Sequence, residues 1–342
     1  MNAAAQLLKR AGNEALRINP TVADIDITTH GSDWLWAVFS VMALSGLITM
    51  FWSLKVSRGE RAFHYLSAAI LATASVAYFS MASDLGATPI RVEFLNYGPD
   101  QVNGQRPTRS IWYARYIDWT ITTPLLLLEI LLVSGLPLST VFITIFFDIV
   151  MIITGLIGAL VESTYKWGFY TMGCVAMFYV FWVIYGPGLK SASHLGADFK
   201  KSYLYSSLLL TVLWTLYPVA WGLADGSNTI SPDGEMVFYG VLDLLAKPVF
   251  ALFHLFSLRR CNYSSLHLKS GKFSDYEDLS ANHYRTMEGG KATEAGIIAG
   301  NGNGNVNGAH TTGTTTTGAN VTGANVLDPA PATTMQQAHI AQ

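Results

Sequence analysis

Seven times along the chain a run of 21–26 mostly apolar residues is followed by a polar connection. The runs cover about 34–54, 62–83, 110–132, 136–161, 167–189, 202–224 and 236–258, each long enough as a helix to cross roughly 30 Å of hydrocarbon. Nothing ahead of the first run has the basic, apolar and cleavage regions of a signal peptide, so that run is read as a retained span. An odd number of spans puts the termini on opposite sides. Lys55, Arg58 and Arg61 follow the first run, Lys190, Lys200 and Lys201 lie between the fifth and sixth, and Arg259 and Arg260 follow the seventh. Basic residues collect in cytoplasmic connections. The pattern therefore predicts an all-α membrane protein, a seven-helix transmembrane bundle with an extracellular N-terminus and a cytoplasmic C-terminus.

The connections divide the chain further. Residues 1–33 read as an extracellular segment in which NAAAQLLKRAGNEALRINP has the composition of a short amphipathic helix, and 34–260 as one helical domain. Between the second and third spans, β-prone residues flank turn signals within 88–109, which predicts a short β-hairpin turning near Asn103 and Gly104. Residues 261–342 read as a cytoplasmic tail, disordered for the most part, because stretches such as GNGNGNVNGAHTTGTTTTGAN hold little that can be buried.

Composition narrows the function. Of 342 residues, 51% are hydrophobic and 13% charged, with a net charge of -2, which excludes an electrostatic nucleic-acid binder. The two cysteines, Cys174 and Cys261, have neither metal-site nor redox-pair spacing, and no disulfide between them is expected.

Against this background the charges inside the spans stand out. The seventh span carries Asp243 and Lys247 near its middle, where a charge costs on the order of 3 kcal/mol. Four residues apart, the two side chains share a helix face and can meet. The third span holds Arg115, Asp118 and Glu129, and the fourth holds Asp148. Arg115 and Asp118 are three apart on one face, which sets a cation beside that acid. Glu129 lies 11 residues past Asp118, about 16 Å along the axis at ~1.5 Å per residue, with Leu125 to Leu128 between them. Two carboxyls in unlike surroundings at different depths suit a proton acceptor and a proton donor. Asp225 and Glu235, flanking the last connection, extend the acidic series outwards as exposed acids at helix ends. For any one of these residues, a structural ion pair that fixes helix packing is the alternative.

Three stretches carry a family resemblance: Arg115-Tyr-Ile-Asp118-Trp119-Thr-Ile-Thr122-Thr123-Pro124-Leu-Leu-Leu-Leu-Glu129, Trp214-Thr-Leu-Tyr217-Pro218-Val-Ala-Trp221 and Leu242-Asp243-Leu-Leu-Ala-Lys247. In that order and spacing they resemble the microbial rhodopsins, above all fungal ones related to bacteriorhodopsin, over about 34–260. The resemblance implies all-trans-retinal bound to Lys247 as a protonated Schiff base, with Asp118 and Asp243 as counter-ions. It further implies Trp119, Trp214, Tyr217 and Trp221 along the polyene, and Thr123, Met151, Gly155 and Pro218 shaping the pocket. Tyr78 would hydrogen-bond near Asp243, Arg115 would gate the exit, and Asp148 would be a buried acid near the chromophore ring.

The implied activity is light-driven outward proton transport, in which Asp118 accepts, Glu129 donates from the cytoplasmic side, and Arg115, Asp225 and Glu235 line the exit. Family pumps usually have Asp where this chain has Glu129. Implied partners are the lipid bilayer of a plasma membrane, protons and a second or third copy of the chain. The competing reading is a photosensory receptor with a slow cycle, for which residues 270–342 offer no recognisable signalling domain. An ordinary ligand-binding seven-helix receptor leaves Lys247, Asp243 and the acids of the third span unexplained.

Overall fold

In a bilayer every backbone polar group must be satisfied within the segment, so apolar spans fold as helices. The computed structural model, which describes residues 13–266 and Leu268, has seven helices of that kind. They are α1 (Thr29–Ser53), α2 (Ala62–Ala82), α3 (Tyr113–Ser134), α4 (Leu138–Leu160), α5 (Lys166–His194), α6 (Ala197–Gly226) and α7 (Pro232–Leu258). Consecutive helices pack side by side, and α7 closes the bundle against α1. The protein is thus an integral multi-pass membrane protein.

Several helices begin earlier or end later than the apolar runs, because hydropathy marks the greasy middle while caps and polar first turns lie beyond it. The Thr28 side chain caps α1 by accepting from the His30 N–H. Its hydroxyl and amide also donate to Asp233 in the first turn of α7. Ser231 caps α7 by accepting from the Gly234 amide at 3.0 Å, and Pro232 occupies the first turn, where no partner for its missing N–H is needed. Gly135 ends α3 with φ of 68°, a left-handed stop that costs glycine little.

Residues 110 and 111, expected in the third span, belong instead to a strand. β1 (Thr88–Arg91) and β2 (Thr108–Ile111) pair antiparallel, with Thr88 opposite Ile111 and Arg91 opposite Thr108. The connection between them turns where Asn103 (φ 52°) and Gly104 (φ 75°) both take left-handed conformations between the bridged Val102 and Gln105, as the sequence predicts. The chain ahead of α1 joins this hairpin, since Ile25 and Arg109 form a parallel bridge. Beside it, burial first and then the Asp26 carboxylate hold the Asp84 carboxyl up at about 7, and burial raises Asp26 as well. Of the amphipathic helix expected at 2–20, the described residues contain one turn, Ala15–Ile18. Most of the expected tail lies outside the described residues.

Three helices depart from α geometry. Wider π-turns occur at Ile184–Gly188 in α5, Gly222–Gly226 in α6 and Leu245–Val249 in α7. The last contains Lys247 and Pro248, and proline has no N–H to return to the carbonyl four residues back. Such turns gather at functional sites because they re-aim one residue without breaking the helix.

Candidate functional site

The site is organised in three layers along the bundle axis. At the centre, the π-turn of α7 presents Lys247, almost fully buried, to α3. Its Nζ lies 2.6 Å from Asp118 Oδ2 and 3.0 Å from Asp243 Oδ2. The two acids differ in their remaining partners. Asp243 accepts from the hydroxyls of Tyr78 at 2.7 Å and Tyr217 at 2.5 Å, one on each oxygen. Asp118 Oδ1 has no close hydrogen-bond partner among the described residues, and the nearby Thr122 hydroxyl donates to the Asp118 main-chain carbonyl at 2.9 Å. Asp243 is thus held by two hydroxyls and the ammonium, whereas Asp118 meets the same ammonium with one oxygen.

The cation beside Asp118 is Lys247 and not, as the sequence spacing suggested, Arg115. Helical side chains lean towards their own N-terminus, and Arg115 leans away from Asp118 into the layer at the hairpin end. There its Nη1 donates to Glu235 Oε1 at 2.5 Å, and its guanidinium lies 4.1 Å from the centre of the Tyr239 ring. Arg109 from β2 takes the other Glu235 oxygen at 2.7 Å and donates to Asn228 Oδ1 and the Ile230 carbonyl, both at 2.8 Å. Asp225, in the π-turn of α6, accepts from the Tyr116 hydroxyl at 2.7 Å, while Lys166 Nζ donates to its main-chain carbonyl at 3.2 Å. Asp225 and Glu235, expected as exposed acids, are buried, because the hairpin and the first turn of α5 cover them. The sequence reading missed Arg109, Tyr116 and Lys166, whose partners come from distant elements.

Towards the opposite end the third layer holds Glu129, fully buried. Its Oε1 accepts from the Ser67 hydroxyl of α2 at 2.6 Å, and Oε2 has no partner among the described residues. Leu126 and Leu127, fully buried, separate it from Asp118 along α3. Among the described residues no cation is paired with this carboxyl, in contrast to both acids at the centre.

A pocket opens from Lys247 across α3 to α6. All nine residues expected to hold a cofactor line it: Trp119, Thr123, Met151, Gly155, Trp214, Tyr217, Pro218, Trp221 and Lys247. The indole of Trp221 donates to the Gly155 carbonyl at 3.1 Å, which fixes one wall. Asp148 lies just behind the lining, where the Thr123 hydroxyl is 2.9 Å from its Oδ2 and 2.9 Å from the Trp119 carbonyl. The sequence reading missed the contribution of α5, namely Tyr170, Gly173, Cys174 and Met177. An apolar, aromatic channel with one primary amine at its end accepts a long hydrophobic aldehyde that the amine can bind covalently.

Comparison with known proteins agrees with this geometry. Residues 30–260 match the family described as bacteriorhodopsin-like protein. The chain is similar to Protein FDD123 of Trametes versicolor, with 46% identity over 290 residues, 85% of this chain and 99% of the relative. Among solved structures it is similar to the light-driven proton pump LR (Mac) from Leptosphaeria maculans, at 34% identity and a TM-score of 0.64, covering 71% of this chain and 98% of that one. It is also similar to the light-driven proton pump Coccomyxa subellipsoidea Rhodopsin CsR, at 35% identity and a TM-score of 0.63, over 68% of this chain and 98% of that one.

Proposed function

The chain belongs to the bacteriorhodopsin-like family, and on that premise we propose that it is a light-driven outward proton pump whose chromophore is all-trans-retinal on Lys247. The observation that carries the proposal is the buried Lys247 amine at the end of an apolar aromatic pocket, between the carboxylates of Asp118 and Asp243. Linked to Lys247 as a protonated Schiff base, retinal would supply visible absorbance and a light-dependent change in the proton affinity of that nitrogen.

The remaining steps belong to side chains. Asp118 Oδ2, at 2.6 Å from Nζ, is the proton acceptor, while Asp243, hydrogen-bonded by Tyr78 and Tyr217, is the second counter-ion. The hairpin end faces the outside, because the basic connections, with Lys55, Arg58, Arg61, Lys190, Lys200, Lys201, Arg259 and Arg260, are all at the other end. On the outer side Arg115 and Arg109 hold Glu235 as an anion, which leaves Asp225 with Tyr116 as the exit pair able to carry a proton. Glu129, away from any cation and dry behind Leu126 and Leu127, holds a proton at rest and returns it to the Lys247 nitrogen. That cytoplasmic carboxyl is what favours pumping over sensing, since a sensor has no need of a donor on the uptake side.

Light-induced pH change in a suspension of cells expressing the protein tests this directly. External acidification that a protonophore abolishes is the expected outcome. A coloured protein that moves no protons would overturn the pump and leave a photosensor in a plasma membrane as the reading.

A further inference from the structure

Beyond Glu129, the uptake side contains a buried titratable group that the cycle above leaves unused. His254 lies on α7, two turns past Lys247, and is fully buried. Its ring is stacked on Phe250 at 5.4 Å with planes 10° apart, and Phe63 of α2 meets it edge-on at 5.7 Å. A phenylalanine would fill the same slot, so packing does not explain an imidazole. The imidazole also carries a cost, since Nε2 has no partner among the described residues, and an unsatisfied buried polar atom costs about 1–3 kcal/mol.

The neighbours of the ring point to proton transfer. His254 Nδ1 lies 2.9 Å from the Ser206 hydroxyl of α6, and the Glu129 main chain lies against the ring. One turn nearer the helix ends, Ser202 and Ser257 are hydrogen-bonded at 2.5 Å, and Ser257 donates to the His254 carbonyl at 2.8 Å. Three hydroxyls, the Ser202–Ser257 pair and Ser206 one turn along α6 from Ser202, thus lie between the basic end of the bundle and the imidazole on one side of it. On the other side is Glu129, whose Oε2 is, like His254 Nε2, buried and unpartnered. Neutral imidazole can take a proton on one nitrogen and lose one from the other.

We propose that His254 is the relay that reloads Glu129 from the cytoplasm. The imidazole takes up one proton through Ser202, Ser257 and Ser206 and becomes imidazolium. It then gives one proton to the Glu129 carboxylate and is neutral again, so one proton enters and no other bond changes. The assignment rests on Glu129 being the donor, and it concerns only the step after Glu129 has discharged.

Flash photolysis of the retinal-bound full chain, with a pH-sensitive dye for uptake, separates the two steps. In His254→Phe, which keeps the stack, reprotonation of the Lys247 nitrogen should stay within about twofold while proton uptake slows at least about a hundredfold, the lower range of a lost acid–base group. In His254→Ala, added imidazole should restore uptake, and the same imidazole should do nothing in His254→Phe, where the slot is filled. Uptake in His254→Phe at the wild-type rate would overturn the relay. Failure of the donor reading is separate: it would show as unchanged reprotonation of the Lys247 nitrogen in Glu129→Gln. Should neither His254 variant fold, infrared difference spectra of the wild type with isotope-labelled histidine decide, since absence of a histidine signal during uptake overturns the proposal and its presence supports it.

Discussion

Replacing Glu235 by glutamine probes the charge layer at the hairpin end most directly. The carboxylate takes Arg115 at 2.5 Å on one oxygen and Arg109 at 2.7 Å on the other, and all three side chains are buried. Glutamine keeps the shape and leaves two guanidiniums without an anion. Removing one partner of a buried ion pair costs about 3–5 kcal/mol. Arg109→Gln is the matched control, because it deletes a cation and leaves Arg115 paired with Glu235. It should lose mainly the bonds to Asn228 and Ile230, about 1–3 kcal/mol. The double variant closes a thermodynamic cycle, and a coupling of about 1–3 kcal/mol is expected for residues that share one network. Retinal-bound protein in mixed detergent can be unfolded stepwise with SDS and followed by loss of visible absorbance. A Glu235→Gln variant that loses less than Arg109→Gln, or less than about 1 kcal/mol as an exposed pair would, refutes the view of Glu235 as the charged hub.

Three further outcomes follow from the geometry. Lys247→Ala should yield no visible absorbance after incubation with retinal, measured by spectrophotometry, and retained colour would remove Lys247 as the attachment point. Glu129→Gln should slow reprotonation of the Lys247 nitrogen by at least about a hundredfold in flash photolysis at neutral pH, since the group lost is an acid–base catalyst. Asp84→Asn concerns stability: the folded state raises that carboxyl from 3.8 to about 7, so its contribution is complete below the lower value and is lost as pH rises through the upper one. Asparagine also suits the φ of 58° at this position, so the melting temperature of the variant relative to wild type should rise between about pH 4 and about pH 7 and level off above. A difference that is flat with pH would refute the carboxyl pairing with Asp26.

The sequence and the structure agree most closely where the information is local. Span length and hydropathy locate the seven helices, the Asn103 and Gly104 pair locates the hairpin turn, and four-residue spacing brings Asp243 to Lys247. The three motif stretches contain seven of the nine expected lining residues, and the wider family resemblance supplies Met151 and Gly155. What escaped depends on elements far apart in the chain. α5 is apolar on nearly every face, so no periodicity marks Tyr170, Gly173, Cys174 and Met177 as the side that meets the pocket. The burial of Asp225 and Glu235 depends on Arg109, which reaches them only because β2 folds back over the bundle. Arg115 and Asp118 share a helix face, yet the direction in which a long side chain leans separates them.

The layering of charge bears on which ions can pass. At the centre one ammonium faces two carboxylates, whereas at the hairpin end Arg109, Arg115 and Lys166 face two. A hydrated metal cation drawn inwards from that side meets a fixed positive screen before it reaches the negative centre. A proton can instead pass along hydroxyls and carboxyls by exchange of bonds, without any cation moving through the screen. The same arginines that fasten the hairpin to the bundle therefore also place a buried positive layer between that end and the negative centre.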